Sequence, residues 1–224
     1  MIPLKDNIPN RTFPIITIII IVVNIVVFIY ASLMPLGAQR LLIERYALIP
    51  REFMIALEER PELLPYNLLT IFSSMFLHGG IFHIAGNMLY LFIFGNNIED
   101  SVGHLRFIVF YGASGLAAAL MQFFFDPGSG IPMIGASGAV SGVLGAYLLL
   151  YPFARIKTLI FIFVFVTTVE MPAVVLLTVW FLMQVAFSHI GKGVAWWAHI
   201  GGFIFGLVTI KLFTLGRPRL QRAR

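Results

Sequence analysis

The chain has 224 residues, of which 59% are hydrophobic and 11% charged, with a formal net charge of +5 and no cysteine. A soluble domain carries about 25% charged residues, so this balance excludes an ordinary water-soluble enzyme and makes lipid the expected solvent. The lack of cysteine excludes a disulfide framework, a thiolate metal site and a cysteine nucleophile.

A membrane-crossing helix needs about 20 mostly apolar residues. Phe13–Met34 is the first such stretch. It is too long for a signal-peptide core, and Ala31-Ser32-Leu33 is a poor cleavage site, so it is kept as a span. Residues 35–80 mix charges such as Arg40, Glu44, Arg51 and Glu58 with apolar residues at helical spacing. That pattern predicts an amphipathic interfacial helix, broken at Pro61 and Pro65. The second span is Ile81–Asn96 and the third Leu105–Phe124, followed by the turn-rich run Asp126–Pro132. The fourth begins at Ser137 and ends near Tyr151-Pro152; it is short, which puts its start below the membrane surface. Phe153–Glu170 is β-branched and aromatic, and fits either an interfacial extended stretch or part of a helix. The fifth span is Met171–Ser188 and the sixth Trp196–Leu215, with Trp196 and Trp197 as an aromatic anchor. The expected fold is an all-α membrane protein, 1–224 as a single domain with a core over about 65–210. It is a bundle of six transmembrane helices with an amphipathic first loop and a basic tail at 216–224.

Charge sets the orientation. Lys5, Arg11, Arg106, Arg155, Lys157, Lys211, Arg217, Arg219, Arg222 and Arg224 fall on one side, and Arg40, Arg45, Arg51, Arg60 and Lys192 on the other. The bias places both termini in the cytoplasm. Basic residues directly after an apolar segment mark a flank facing anionic lipid rather than nucleic acid, so lipid is an expected partner and nucleic acid is not. No transporter-type internal repeat is present.

With this topology the second, fourth and sixth spans start at the outer face, and each carries polar residues there. His83 and Asn87 share one face of the second span. Ser137 opens the fourth, and His199 lies about one turn into the sixth. A serine hydroxyl is a weak nucleophile until a base takes its proton, and His199 supplies one where the helices touch. Two small-residue ridges provide for that contact: Ser137, Ser141 and Gly145, and Gly202 with Gly206. The first amides of the fourth helix, with His83 and Asn87 opposite, are donors for a developing oxyanion. Structural readings stand beside these: an intramembrane serine or asparagine commonly packs helices, and a histidine serves packing, a proton relay or haem. His78 and His83, five apart, fall on different helical faces with no helical acid to complete a metal site, so neither metal nor cofactor is expected.

Three motifs in order, His78-x4-His83-x3-Asn87, Gly135-x-Ser137-Gly138 and Ala198-His199-x2-Gly202-x3-Gly206, resemble the rhomboid family of intramembrane serine proteases over roughly residues 65–210. The resemblance implies a dyad without an acid, Ser137 as nucleophile and His199 as general base. It implies an oxyanion hole of His83, Asn87 and the Ser137 N–H, and a structural role for His78. It further implies single-span membrane protein substrates, entering sideways and cut near the outer surface. The expected entry lies between the second and fifth spans, past Gly86, Trp180 and Phe181, and the compact six-span form points to a bacterial inner membrane. Two positions depart from the family. Pro65-Tyr66-Asn67 replaces a common Trp-Arg in the first loop, and Ser141 stands where some members stack a tyrosine on the histidine. Other contacts must therefore orient His199. The rival readings are a catalytically silent family member that binds membrane clients, and a transporter, which would want ionisable residues along a continuous path.

Overall fold

The computed structural model describes residues 1–162, 165–189, 191 and 193–216; Lys192, Arg217, Arg219, Arg222 and Arg224 of the charge count, and most of the basic tail, lie outside them. The elements in chain order are β1 (Ile2–Asp6), α1 (Ile15–Ser32), α2 (Leu36–Tyr46), α3 (Pro50–Glu58), α4 (Leu64–Ser73), α5 (Ile81–Tyr90), α6 (Asn96–Val102), α7 (His104–Phe125), α8 (Ser137–Leu150), β2 (Arg155–Ile162), β3 (Phe165–Pro172), α9 (Ala173–Phe187) and α10 (Trp196–Phe213). Among the described residues four helices are long and apolar enough to cross a membrane: Ile15–Ser32, Ile81–Val102, His104–Phe125 and Trp196–Phe213. Two apolar helices, Ser137–Leu150 and Ala173–Phe187, are shorter. The class is the expected helical membrane fold, with a small antiparallel sheet added at one end.

The second span runs further than its apolar pattern suggests. A π-helical stretch, Leu91–Gly95, joins α5 to α6 without a break. This brings Glu99 and Asp100 into the span, where the sequence reading has no acid. Glu99 is fully buried. Its carboxylate accepts the N–H groups of Ile16 at 2.9 Å and Thr17 at 2.7 Å, and meets His104 Nδ1 on Glu99 Oε1. A buried carboxylate is tolerated there because the first amides of α1 have no partner within their own helix and their dipole favours an anion. Gly103, at φ 85°, then turns the chain into α7.

The first loop is three helices rather than one. Pro50 and Pro65 lie in the first turns of α3 and α4, and Pro61 opens a short 3₁₀ turn, Pro61–Leu63. Pro61 and Pro65 thus start elements instead of breaking one, because a missing N–H costs nothing in a first turn. The loop braces the segment ahead of Ser137. Met133 N–H donates to Leu48 O at 2.8 Å, Arg51 N–H donates to Ser129 O at 3.0 Å, and the Phe53 and Phe123 rings stack at 4.5 Å. The Tyr66 hydroxyl donates to Arg45 O, an anchor within the departing Pro65-Tyr66-Asn67 run.

Within the open stretch 153–170, β2 pairs antiparallel with β3, and β1 adds to β2 with Pro3 opposite Thr158 and Asp6 opposite Ile156. Ile156 and Thr158 are buried while Arg155 and Lys157 are exposed, the two-residue alternation of a half-buried strand. Asp6 Oδ2 accepts from Asn97 Nδ2 at 2.5 Å and from the Tyr147 hydroxyl at 2.6 Å, which ties the sheet to α6 and α8. Burial raises the Asp6 carboxyl above its ordinary value, against these two hydrogen bonds, which lower it.

At the centre, α8 is buried along most of its length. Its C-terminal half meets aromatic side chains, with Phe94 edge-on to Tyr147 at 4.8 Å. Along its glycines, from Gly138 to Gly145, it meets α10 at backbone contact. A Cβ at Gly202 would sit 2.0 Å from Gly138 O, one at Gly206 1.8 Å from Gly142 O, and one at Gly145 2.0 Å from Phe203 O. In lipid such close packing, rather than exclusion of water, drives helix association. The facing ridge on α8 is therefore Gly138, Gly142 and Gly145. Ser141, expected on it, is buried and turns its hydroxyl back to Ser137 O at 2.6 Å.

Candidate active site

The glycine contact between α8 and α10 brings Ser137 and His199 together. Ser137 Oγ lies 2.8 Å from His199 Nε2, and both residues are half-buried. A hydroxyl within hydrogen-bonding reach of an imidazole nitrogen is the arrangement that proton transfer requires. Two tryptophans flank the ring: Trp180 of α9 at 6.1 Å and Trp196 at 6.2 Å between centroids. Trp180, expected as a gate residue, thus neighbours His199 directly. Phe181 stacks instead on Phe203 at 4.7 Å, and Gly86 is half-buried on α5.

The segment before Ser137 is held by histidines. Gly135 has φ +116°, a conformation that favours glycine, and a Cβ there would sit 2.6 Å from His83 Nε2 and 3.7 Å from Asn87 Nδ2. His83 and Asn87 therefore lie over the backbone two residues ahead of Ser137. Asn87 Nδ2 donates to His83 O at 3.0 Å, a bond within α5. α8 starts without a side-chain cap, which leaves its first amides available at Ser137.

His78 sits apart from the helix. Because α5 starts only at Ile81, the residues from Leu77 to Gly80 lie outside the helix, and the His78 and His83 rings meet edge to face at 5.0 Å. This corrects the expectation that the two point to different faces, which assumed a helix through both. Among the described residues no three His, Cys, Asp or Glu side chains converge as a metal set would. Ala136 N–H donates to His78 Nε2 at 3.4 Å, so His78 holds the residue next to Ser137. Burial, and secondarily the neighbouring His83, push the His78 imidazole down to about 4.

A cavity of about 530 Å³ opens beside the pair, with Gly79, His83, Gln122, Asp126, Ser137 and His199 in its wall. Its wall mixes these polar groups with apolar ones such as Met133, Ile134 and Val194, which suits water and an extended peptide segment. One neighbour of His199 is not among the residues expected from the sequence. Gln184 of α9 is buried, and its Oε1 lies 2.8 Å from His199 Nδ1. The available signal was a primary amide in an otherwise apolar helix, one turn after Trp180.

Fold and site together define a polytopic membrane protein with a serine–histidine pair at the wall of a cavity of mixed lining. The chain belongs to the rhomboid family: the Rhomboid domain model matches residues 65–215. It is 32% identical over 149 residues to "Rhomboid protein 1, mitochondrial" of Saccharomyces cerevisiae, covering 62% of this chain and 40% of that protein. It is 32% identical over 158 residues to "RHOMBOID-like protein 1" of Arabidopsis thaliana, covering 66% and 35%. It is also 32% identical over 149 residues to "Rhomboid protease GluP" of Bacillus subtilis, covering 66% and 26%. The alignments thus span between about a quarter and two fifths of the length of these relatives.

Proposed function

We propose that this chain is an intramembrane serine endopeptidase that cleaves single-span membrane proteins. The observation that carries the reading is the 2.8 Å approach of Ser137 Oγ to His199 Nε2, on helices locked by glycine contacts. Ser137 Oγ attacks the scissile carbonyl while its proton passes to His199 Nε2. The oxyanion is met by the Ser137 N–H and by His83 and Asn87 from the opposite wall. His199 then gives its proton to the leaving amine, which frees the C-terminal product and leaves an acyl-serine. Water, deprotonated by His199, releases the N-terminal product and restores the hydroxyl. A removed oxyanion donor typically costs about 10²- to 10³-fold in rate.

The reading includes six spans, with α8 and α9 as the two short ones, both termini in the cytoplasm, and a bacterial inner membrane as the location. A short α8 starts below the surface, which allows water from the outer side to reach Ser137. Substrate amides bonded inside a helix are protected, so substrates carry helix breakers near the cut. The name of the Bacillus subtilis relative supports protease activity.

The test is reconstitution in liposomes with a panel of tagged single-span substrates. The wild type cleaves and is labelled at Ser137 by a fluorophosphonate. Ser137→Ala and His199→Ala abolish cleavage while retaining the wild-type melting midpoint. Normal turnover by either variant refutes the mechanism. A wild type that binds substrates without cleaving or labelling identifies a silent client-binding protein instead.

A further inference from the structure

We propose that Gln184 is a third member of this site, a positioning residue that fixes which nitrogen of His199 acts as the base. The inference rests on the reading of Ser137 and His199 as nucleophile and base.

A neutral imidazole carries one N–H, on either nitrogen, and only the bare nitrogen takes a proton. The surroundings of Gln184 decide between the two. Its Nε2 lies 3.1 Å from Trp180 O, and its Oε1 lies 2.8 Å from His199 Nδ1. A backbone carbonyl only accepts, so the amide end facing Trp180 O must be the NH₂ group. That leaves Oε1 facing the imidazole, and Oε1 only accepts. His199 Nδ1 must then carry the hydrogen, and the lone pair falls on Nε2, facing Ser137 Oγ at 2.8 Å. The opposite amide orientation would set two carbonyl oxygens against each other.

The result is a directional chain: the Ser137 hydroxyl donates to His199 Nε2, His199 Nδ1–H donates to Gln184 Oε1, and Gln184 Nε2–H donates to Trp180 O. The base is the protonation form that catalysis requires, selected by a backbone carbonyl of α9 acting through a neutral amide. The amide dipole also offers its negative end to the imidazolium that forms when Ser137 attacks. Location supports the role. α9 reads AVVLLTVWFLMQVAF, and Gln184 is its one amide, on the buried face with Leu176 and Leu177. An amide buried among apolar groups is costly unless bonded, and its two bonds hold the catalytic imidazole and the preceding turn. With Ser141 in place of a stacking tyrosine, Gln184 orients the ring from its far edge.

The experiment compares wild type, Gln184→Met and Gln184→Glu in liposomes. Methionine keeps length and volume but accepts no hydrogen bond of this strength; glutamate keeps the acceptor. The readouts are kcat and KM on a tagged substrate, the fluorophosphonate labelling rate of Ser137, the melting midpoint, and the His199 tautomer by ¹⁵N NMR. Gln184→Met is expected to lower kcat and the labelling rate about ten- to hundred-fold, with KM within about twofold and the midpoint unchanged. Gln184→Glu stays within about tenfold of wild type in both rates. In the wild type His199 carries its hydrogen on Nδ1. An active wild type with an equally active Gln184→Met overturns this proposal and leaves the proposed function standing. A wild type that neither cleaves nor labels overturns both. If Gln184→Met does not fold, the wild-type tautomer decides: hydrogen on Nδ1 supports the proposal, and hydrogen on Nε2 overturns it.

Discussion

Gly202→Ala tests whether backbone contact between α8 and α10 sets the geometry of the site. The added methyl would sit 2.0 Å from Gly138 O and 3.4 Å from Gly142 N. Carbon–oxygen contacts begin near ~3.3 Å, so the gap is short by about 1.3 Å. The obstructing atom is backbone in the first turn of a buried helix, with no side chain to swing away. The helices must therefore separate, and Gly138 adjoins Ser137 while Gly202 lies about one turn from His199. An opening of that size, passed to the pair in full, stretches its 2.8 Å hydrogen bond to about 4 Å, past the ~3.2 Å limit. A misplacement of about 1 Å costs on the order of 10²-fold in rate, and overpacking costs about 1–3 kcal/mol of stability. The assay is cleavage and fluorophosphonate labelling in liposomes, with the melting midpoint followed in parallel. The expected result is a folded protein, slightly less stable, with both rates reduced about 100-fold. Gly37→Ala, where a Cβ meets nothing within 4 Å, serves as the control and keeps wild-type rates. A folded Gly202→Ala that cleaves within about threefold of wild type would refute the reasoning.

Other perturbations give separate readings. Gly135→Ala forces a side chain into φ +116° and onto His83 Nε2 at 2.6 Å; it should cost about 2–4 kcal/mol and most of the activity, and a variant with a wild-type melting midpoint contradicts the described loop. Glu99→Ala leaves the first amides of α1 without their buried acceptor, and a drop of about 3 kcal/mol in unfolding free energy is expected in denaturant titration, with Glu99→Gln intermediate. His78 titrates near 4 when folded against 6.5 in a free chain, so between these values the unfolded state binds the extra proton. Its contribution is therefore complete above pH 6.5 and is lost as pH falls toward 4, by up to about 3 kcal/mol. His78→Gln, which keeps an acceptor for Ala136 N–H, should flatten the acid side of the stability profile relative to wild type; identical profiles exclude His78 as a contributor.

Much of the fold was legible because the cost of placing polar groups in lipid acts residue by residue. The apolar stretches of α1, α7, α8, α9 and α10 follow from composition to within a few positions, and Ser137 was readable as a helix start from the Gly-rich run before it. The order of the motifs carrying His83, Asn87, Ser137 and His199 is likewise a property of the chain.

What the chain did not reveal depends on partners remote in sequence. Glu99 extends the second span because the first amides of α1, more than 80 residues earlier, accept it as a cap. Residues 155–162 and 165–172 become strands in a sheet completed by β1 from the other end of the chain. His78 faces His83 because the chain is not helical ahead of Ile81. Gln184 acquires meaning only when α9 and α10 place its oxygen on His199. Apolar burial in lipid is a local sum that a sequence exposes, whereas a hydrogen bond between distant segments exists only after packing has brought its two ends together.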